Sequence, residues 1–195
     1  MKPIQLSSFM KYLIIGFIVS IIFITVAVSK TPKSNSDAAE VYFDGMKRAG
    51  DTLTVDDVKN TFLKLFRDLK IGANEKIIRE IYAENLYFND TFRTLNNIEE
   101  LIPYMTHTAD MVKSTTVEIL DTAYSGTDYY VRWVMVMEFK AKRKDIYSKS
   151  IGMTQLRFNQ EGKIVFHQDF WDSTEAFYQH LPYIGYFIRK IRSKL

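Results

Sequence analysis

From Thr115 to Trp171 the chain settles into one repeating pattern. Segments near Thr115–Tyr124, Tyr129–Lys142, Tyr147–Phe158 and Lys163–Trp171 are rich in Val, Ile, Tyr and Phe, and turn clusters such as Ser125-Gly126-Thr127-Asp128 and Asn159-Gln160-Glu161-Gly162 separate them. β-branched and aromatic residues between Gly- and Asn-containing turns predict strands, and links this short join antiparallel neighbours, because a parallel pair needs a crossover of a dozen residues or more. The part before Thr115 has a different period. Val55, Val58, Phe62, Leu65, Phe66 and Leu69 recur at helical spacing behind a Thr54–Asp57 capping pattern, until Gly72 stops them. Asn74 caps a short second helix carrying Ile77, Ile78 and Ile81, and aromatics at Asn85–Asp90 favour a strand. Asn97 opens a third helix with Ile98, Leu101, Ile102 and Met105 inward, and Pro103 within it predicts a kink. Helices first and strands afterwards predict an α+β fold, with the helices on one face of a curved antiparallel sheet.

The N-terminus is a separate problem. Between Lys11 and Lys30 runs YLIIGFIVSIIFITVAVS, 18 residues without a charge. As a helix it measures about 27 Å at roughly 1.5 Å per residue, close to the hydrocarbon core of a bilayer. Residues 12–29 are therefore expected to form a transmembrane helix after a basic segment, 1–11. The competing assignment is a cleaved signal peptide, with Lys2 and Lys11 as its basic region and Ala27-Val28-Ser29 at the cleavage positions. Lys30, Lys33, Lys47 and Arg48 balance the charges ahead of the span, so the positive-inside rule does not choose the side of the soluble domain. Residues 30–50, polar at their start with Pro32, Ser34 and Ser36, read as a linker; 51–175 form the domain and 176–195 a tail. A single-pass protein of a bacterial inner membrane is the expected setting.

Eight of the 26 basic residues flank the apolar stretch or crowd the last seven positions, so the body from Ser34 to Ile188 carries 18 basic against 23 acidic residues. A body of that sign has no basic face with which to neutralise phosphates, and nucleic acid is not an expected partner. The chain has no cysteine, which removes disulfides, thiolate metal sites and a cysteine nucleophile. HExxH, Walker, GxSxG and dinucleotide fingerprints do not occur, so no metal or cofactor is expected.

Three local patterns, in this order and behind this set of helices, carry a resemblance. Tyr82–Asp90 (YAENLYFND) resembles the stretch in which SnoaL-like and ketosteroid-isomerase-like proteins, of the nuclear transport factor 2-like superfamily, end a helix and deliver a carboxylate into a cavity. Leu156–Ile164 (LRFNQEGKI) is similar to that superfamily's penultimate hairpin, and Phe166–Asp172 (FHQDFWD) to its last strand. The ending Tyr178-Gln179-His180-Leu181-Pro182, followed by a basic helix, is similar to bacterial members whose chemistry is not established. The resemblance covers roughly Leu53 to Ser173 and implies a cone: a curved sheet wrapped around three N-terminal helices, with a hollow inside. It also implies that Asp90 occupies the place of the isomerase base. Phe66 and Thr154 stand where the isomerase's oxyanion tyrosine and second acid should be, so steroid isomerisation of the known type is not expected.

Alternation groups the strand residues by face, and the resemblance implies that the face of His167, Asp169 and Trp171 looks into the cone. His167, Asp169 and Trp171 share one face of the last strand, Phe88 shares a face with Asp90, Thr154 with Gly152 and Leu156, and Trp133 with Met135 and Met137. Asp90, His167 and Asp169 are the candidate catalytic residues; Phe88, Trp133, Met135, Thr154 and Trp171 are the candidate ligand contacts. A carboxylate among aromatics beside an imidazole suits proton abstraction, epoxide opening or cyclisation of a small apolar, lipid-derived molecule. Each residue also has a plainer reading. His167 and Asp169 can pin the last strand by bonding to each other, Asp90 can cap a turn, and Trp133, Met135, Met137 and Trp171 can be core. The rival function is a non-catalytic module whose sheet face binds a partner or a second copy of the chain. The tail LPYIGYFIRKIRSKL, apolar and basic with no acid after Glu175, is expected to be an amphipathic helix that lies on an anionic membrane or packs on its own domain or a twin.

Overall fold

The computed structural model describes residues 37–141 and 143–195. Phe43–Leu195 is one of two compact units, and the architecture below is that of this unit. Helix α1 (Ala38–Gly45) ends in it. Helix α2 (Val55–Phe66) starts at the expected cap, where the Thr54 hydroxyl accepts the Asp57 N–H at 3.1 Å. It stops at Phe66 rather than running on to Gly72, because Asp68 caps a separate short helix α3 (Leu69–Gly72) and the buried Leu69 N–H donates to Thr115 Oγ1 at 2.8 Å. Asn74 caps α4 (Glu75–Ile81) by accepting the Ile77 N–H.

The chain turns directly into β1 (Tyr82–Asn89), then into a short strand β2 (Thr94–Asn97) that local pattern did not announce. Asn97 caps α5 (Ile98–Met111), which continues through Pro103 and carries His107 in its second half. Four strands follow: β3 (Val112–Ser125), β4 (Asp128–Ala141), β5 (Lys144–Phe158) and β6 (Ile164–Trp171). After them come a short helix α6 (Ser173–Ala176), a 3-10 turn (Tyr178–His180) and α7 (Ile184–Arg192).

The sheet order is β2-β1-β6-β5-β4-β3. The sheet is mixed, which corrects the expectation of an antiparallel one: β1 lies beside β6 in parallel register, Phe88 opposite His167. β2, α5 and three long strands lie between these two, so no hairpin dictates their relative direction. Among the described residues five helices, not three, precede the long strands, since α1 lies ahead of α2 and α3 has split from it. The core forms where α2, α4 and α5 meet the concave face of the sheet, with Val58, Leu65, Ile78, Tyr82, Leu86, Leu101, Leu156 and Phe158 fully enclosed. The expected span, residues 12–29, lies outside the described residues. Among the described residues no helix is long and apolar enough to cross a membrane.

Candidate active site

Strand β6 presents its residues as alternation requires. Phe166 stacks on Tyr87 on one face (ring centroids 4.8 Å apart), whereas His167, Asp169 and Trp171 turn toward the helices. His167 is completely enclosed. Its ring packs among Phe88 (4.7 Å), Phe66 (5.6 Å) and Tyr82 (6.1 Å). Both its nitrogens are bonded: Nε2 is 3.0 Å from Asp169 Oδ1, and Nδ1 is 2.9 Å from the Tyr82 hydroxyl.

Proton placement in this chain follows from what each group can offer. A carboxylate only accepts, so His167 donates from Nε2 to Asp169, leaving Nδ1 to accept from Tyr82. Tyr82 suits that role, because complete burial, reinforced by the nearby carboxylates of Asp169 and Asp90, holds its phenol far above the ordinary range and keeps its proton in place. Asp169 Oδ1 also accepts from Thr154 Oγ1 at 2.5 Å, and Thr154 in turn accepts the Trp133 indole N–H at 2.9 Å. Two lines of donors, Tyr82–His167 and Trp133–Thr154, therefore converge on one carboxylate oxygen. The Trp133 ring reaches Thr154 by lying over Gly152, directly across the β4–β5 ladder; any Cβ at 152 would overlap it.

Asp90 approaches the same space from the end of β1. Oδ1 accepts the backbone N–H groups of Phe92 and Arg93, both at 3.0 Å, closing a tight turn in which Thr91 adopts a positive φ of 74°. Oδ2 accepts the Tyr104 hydroxyl from α5. The Trp171 indole donates to the Asp90 carbonyl at 3.0 Å, tying the ends of β1 and β6 together. Asp90 thus caps a turn and also faces the interior. Burial pushes its carboxyl above the usual range, and the neighbouring Asp169 adds to that; the Tyr104, Arg93 and Phe92 donors offset only part of the rise. Burial and the bond to Asp90 hold the Tyr104 phenol far above its ordinary value.

Both carboxylates line an inner chamber of about 70 Å³ walled by Phe66, Phe88, Trp133, Met135 and Trp171, with Met105 and Thr108 from α5. That is room for a few atoms, well below the roughly 300–1,000 Å³ of a ligand pocket. A second, largely apolar hollow of about 380 Å³ shares Thr108 and Trp171 with the chamber. Tyr104, Met137, Phe139 and Phe177 form its walls, and Arg93, His107 and Lys140 also line it. The row Trp133, Met135, Met137, Phe139 on one face of β4 runs from the chamber into this vestibule.

Of the residues singled out from the sequence, Asp90, Asp169, Phe88, Trp133, Met135 and Trp171 line the chamber. His167 and Thr154 lie behind it, each holding Asp169. Sequence reasoning missed Tyr82, whose hydroxyl is bonded to the imidazole, and Tyr104, whose hydroxyl is bonded to Asp90. The available signal for Tyr104 was helical spacing from Leu101 and to Thr108, which puts it on the inward side of α5. Among the described residues no cluster of His, Asp and Glu has the makings of a metal site.

With this geometry in view, comparison with solved structures decides the fold. A ketosteroid-isomerase-like protein from Catenulispora acidiphila, crystallised with trimethylamine, superimposes with a TM-score of 0.55 at 18% identity, over 66% of this chain and 96% of that one. A SnoaL-like polyketide cyclase structure from Shewanella denitrificans gives 0.52 at 13% identity, over 60% and 91%. The fold is the SnoaL-like, ketosteroid-isomerase-like cone. An epoxide hydrolase from M. tuberculosis is similar too, with a TM-score of 0.50 at 12% identity over 63% of this chain and 85% of that one. No sequence-family model and no curated protein sequence matches the chain, so structure alone carries the likeness.

Proposed function

We propose that the SnoaL-like cone of this protein binds a small, largely apolar molecule in the vestibule and performs acid/base chemistry on its inner end, with Asp90 as the base. The single observation behind this reading is the placement of two carboxylates, Asp90 and Asp169, in a small aromatic chamber adjoining a much larger apolar hollow. Such a layout suits a ligand whose bulk is apolar and whose reacting atoms are few. A buried carboxyl with a raised pKa is a stronger base than an exposed one and sits nearer the pH at which proton transfer is efficient. Asp169, held by His167 and Thr154, is placed to accept from a polar group of the ligand or to hold a water. The polyketide cyclase and epoxide hydrolase among the structural neighbours support a reaction of isomerase, cyclase or hydrolase type. Attachment to a membrane through residues 12–29, with a lipid-derived ligand, belongs to the same proposal and rests on the sequence.

The test is a panel of apolar ketones, epoxides and esters followed by NMR in D2O, alongside identification of any small molecule that copurifies with the full chain. Wild-type protein should exchange or turn over a bound member, and Asp90→Asn should lower that rate by at least about 100-fold. Equal rates in the two proteins would remove Asp90 as the base, and a chamber and vestibule that take up nothing would remove the reading altogether.

The non-catalytic alternative has one observation of its own. On the outer face of the sheet, Tyr147, Ile151 and Phe170 are exposed, with Val134 opposite Ile151 and Met153 opposite Phe170. Sedimentation that shows a dimer, abolished by Ile151→Lys with uptake unchanged, would assign that face to assembly.

A further inference from the structure

Helix α7 is attached to its domain by the wrong face for a packed amphipathic helix. Its 3.6-residue period sorts Ile184, Phe187, Ile188, Ile191 and Leu195 into one apolar stripe and Gly185, Arg189 and Arg192 into a face about a quarter to a third of a turn away. The second face is the one that docks. Gly185 is buried against the Gln179 carbonyl, where any Cβ would overlap the backbone. Arg189 donates to that carbonyl, and Arg192 pairs with Glu175 at 3.2 Å. The apolar stripe is turned to solvent: Ile184 is 52%, Phe187 62% and Ile191 61% exposed. Burial is the usual reason for an apolar stripe, yet of these five residues only Ile188 is half-buried, and Leu195 is fully exposed.

Charge identifies the partner. Lys190 lies 5.8 Å from the Tyr186 ring beside the stripe, and Lys194 follows it. Across an open groove of about 680 Å³, Arg143 and Lys144 at the β4–β5 turn face Tyr183, Tyr186 and Arg189 of the tail, and none of the groove's lining residues is acidic. We infer that α7 is a surface-docking helix for an anionic phospholipid bilayer: the stripe enters the acyl boundary, and the tyrosines and the Arg143, Lys144, Lys190 and Lys194 cations meet the headgroups. A nine-residue helix about 14 Å long lies in such an interface and cannot cross it. A second copy of the chain fits less well, since a two-fold contact through this stripe brings the same cations face to face. The inference does not depend on the proposed chemistry, nor on whether residues 12–29 span the membrane.

The chain has no cysteine, so Ile191→Cys supplies a unique attachment point for an environment-sensitive fluorophore in the full-length protein. The protein is reconstituted with vesicles of phosphatidylcholine alone, or of phosphatidylcholine mixed with phosphatidylglycerol, and Asp56→Cys on the exposed side of α2 serves as the reference label. The label at 191 should shift to the blue and become accessible to lipid-borne quenchers with the anionic vesicles, while the label at 56 stays in water. Adding Lys190→Glu and Lys194→Glu should reduce the ratio of buried to exposed label at least about tenfold, since each cation near such a surface is worth about fivefold in binding. A label at 191 that remains in water with both vesicles overturns the inference. So does a blue shift that needs no lipid and grows with protein concentration, which would assign the stripe to a second copy.

Discussion

At Asp90 one carboxylate serves a turn and an interior chamber together, and its titration shows how the two demands weigh against each other. Oδ1 is fixed by two backbone donors and Oδ2 by Tyr104, yet burial still raises the carboxyl above its usual value. The folded state therefore binds this proton more tightly than the unfolded chain does. The stability that follows is complete below the ordinary value of 3.8 and is lost as pH rises through the raised one. At neutral pH the ionised group is a cost to the fold. Asn keeps the Oδ1 acceptor, and its amide can donate to the Tyr104 hydroxyl, so Asp90→Asn should melt no lower than wild type at pH 7 while losing the proposed chemistry. Thermal denaturation at pH 5 and pH 7 checks this, with the variant's relative advantage expected to be larger at pH 7. Gly152→Ala tests the other side of the chamber. Its methyl must displace the Trp133 ring and break the indole bond to Thr154, which should cost about 1–3 kcal/mol in urea unfolding. In a Trp171→Phe background the same change should alter the emission of the remaining indole.

Among the elements, those with local signals formed as the sequence implied. The caps at Thr54, Asn74 and Asn97 are all occupied as the pattern required. Asn97→Ala should cost about 1 kcal/mol, because it strands the Glu100 N–H at the start of α5, and chemical denaturation reads that loss. The elements that were missed depend on distant partners. The break between α2 and α3 is held by Thr115 of β3, and β2 exists only through its pairing with β1. The tie between the unit's first residues and the sheet is likewise non-local. Arg157 on β5 forms a bidentate pair with Asp128 on β4, at 2.5 and 2.9 Å, and donates to the carbonyls of Met46 and Arg48. Burial pushes the Asp128 carboxyl up, but the bonds from Arg157 and Gln155 outweigh it and hold the group below its usual value. Its contribution is therefore present above pH 3.8 and lost as pH falls through the depressed value. Asp128→Ala, which leaves the guanidinium buried without its anion, should destabilise the unit by about 3 kcal/mol at pH 7 and by less in acid.

For the molecule as a whole, the cone and its tail are energetically unequal parts. The core is closed by α2, α4, α5 and the sheet, whereas α7 contributes a close approach at Gly185 and ion pairs in solvent, each worth roughly 0–1 kcal/mol. A chain ending at Pro182 should therefore unfold within about 1 kcal/mol of the full-length protein, as denaturant titration in detergent would show. By itself the sequence determined the order of α2, α4, β1, α5 and the four long strands and which residues share a face on β4 and β6, and the resemblance it carries implied that Asp90, Asp169 and an aromatic wall face the interior. Period, capping and turn chemistry are local, and alternation along one strand needs no knowledge of its neighbours. Only the tertiary structure decided that β1 runs parallel to β6, that Tyr82 and Tyr104 complete the polar network, and that His167 stands behind Asp169 instead of facing the hollow. Those outcomes depend on which distant segments come within about 3 Å of one another, and no spacing along a single segment carries that distance.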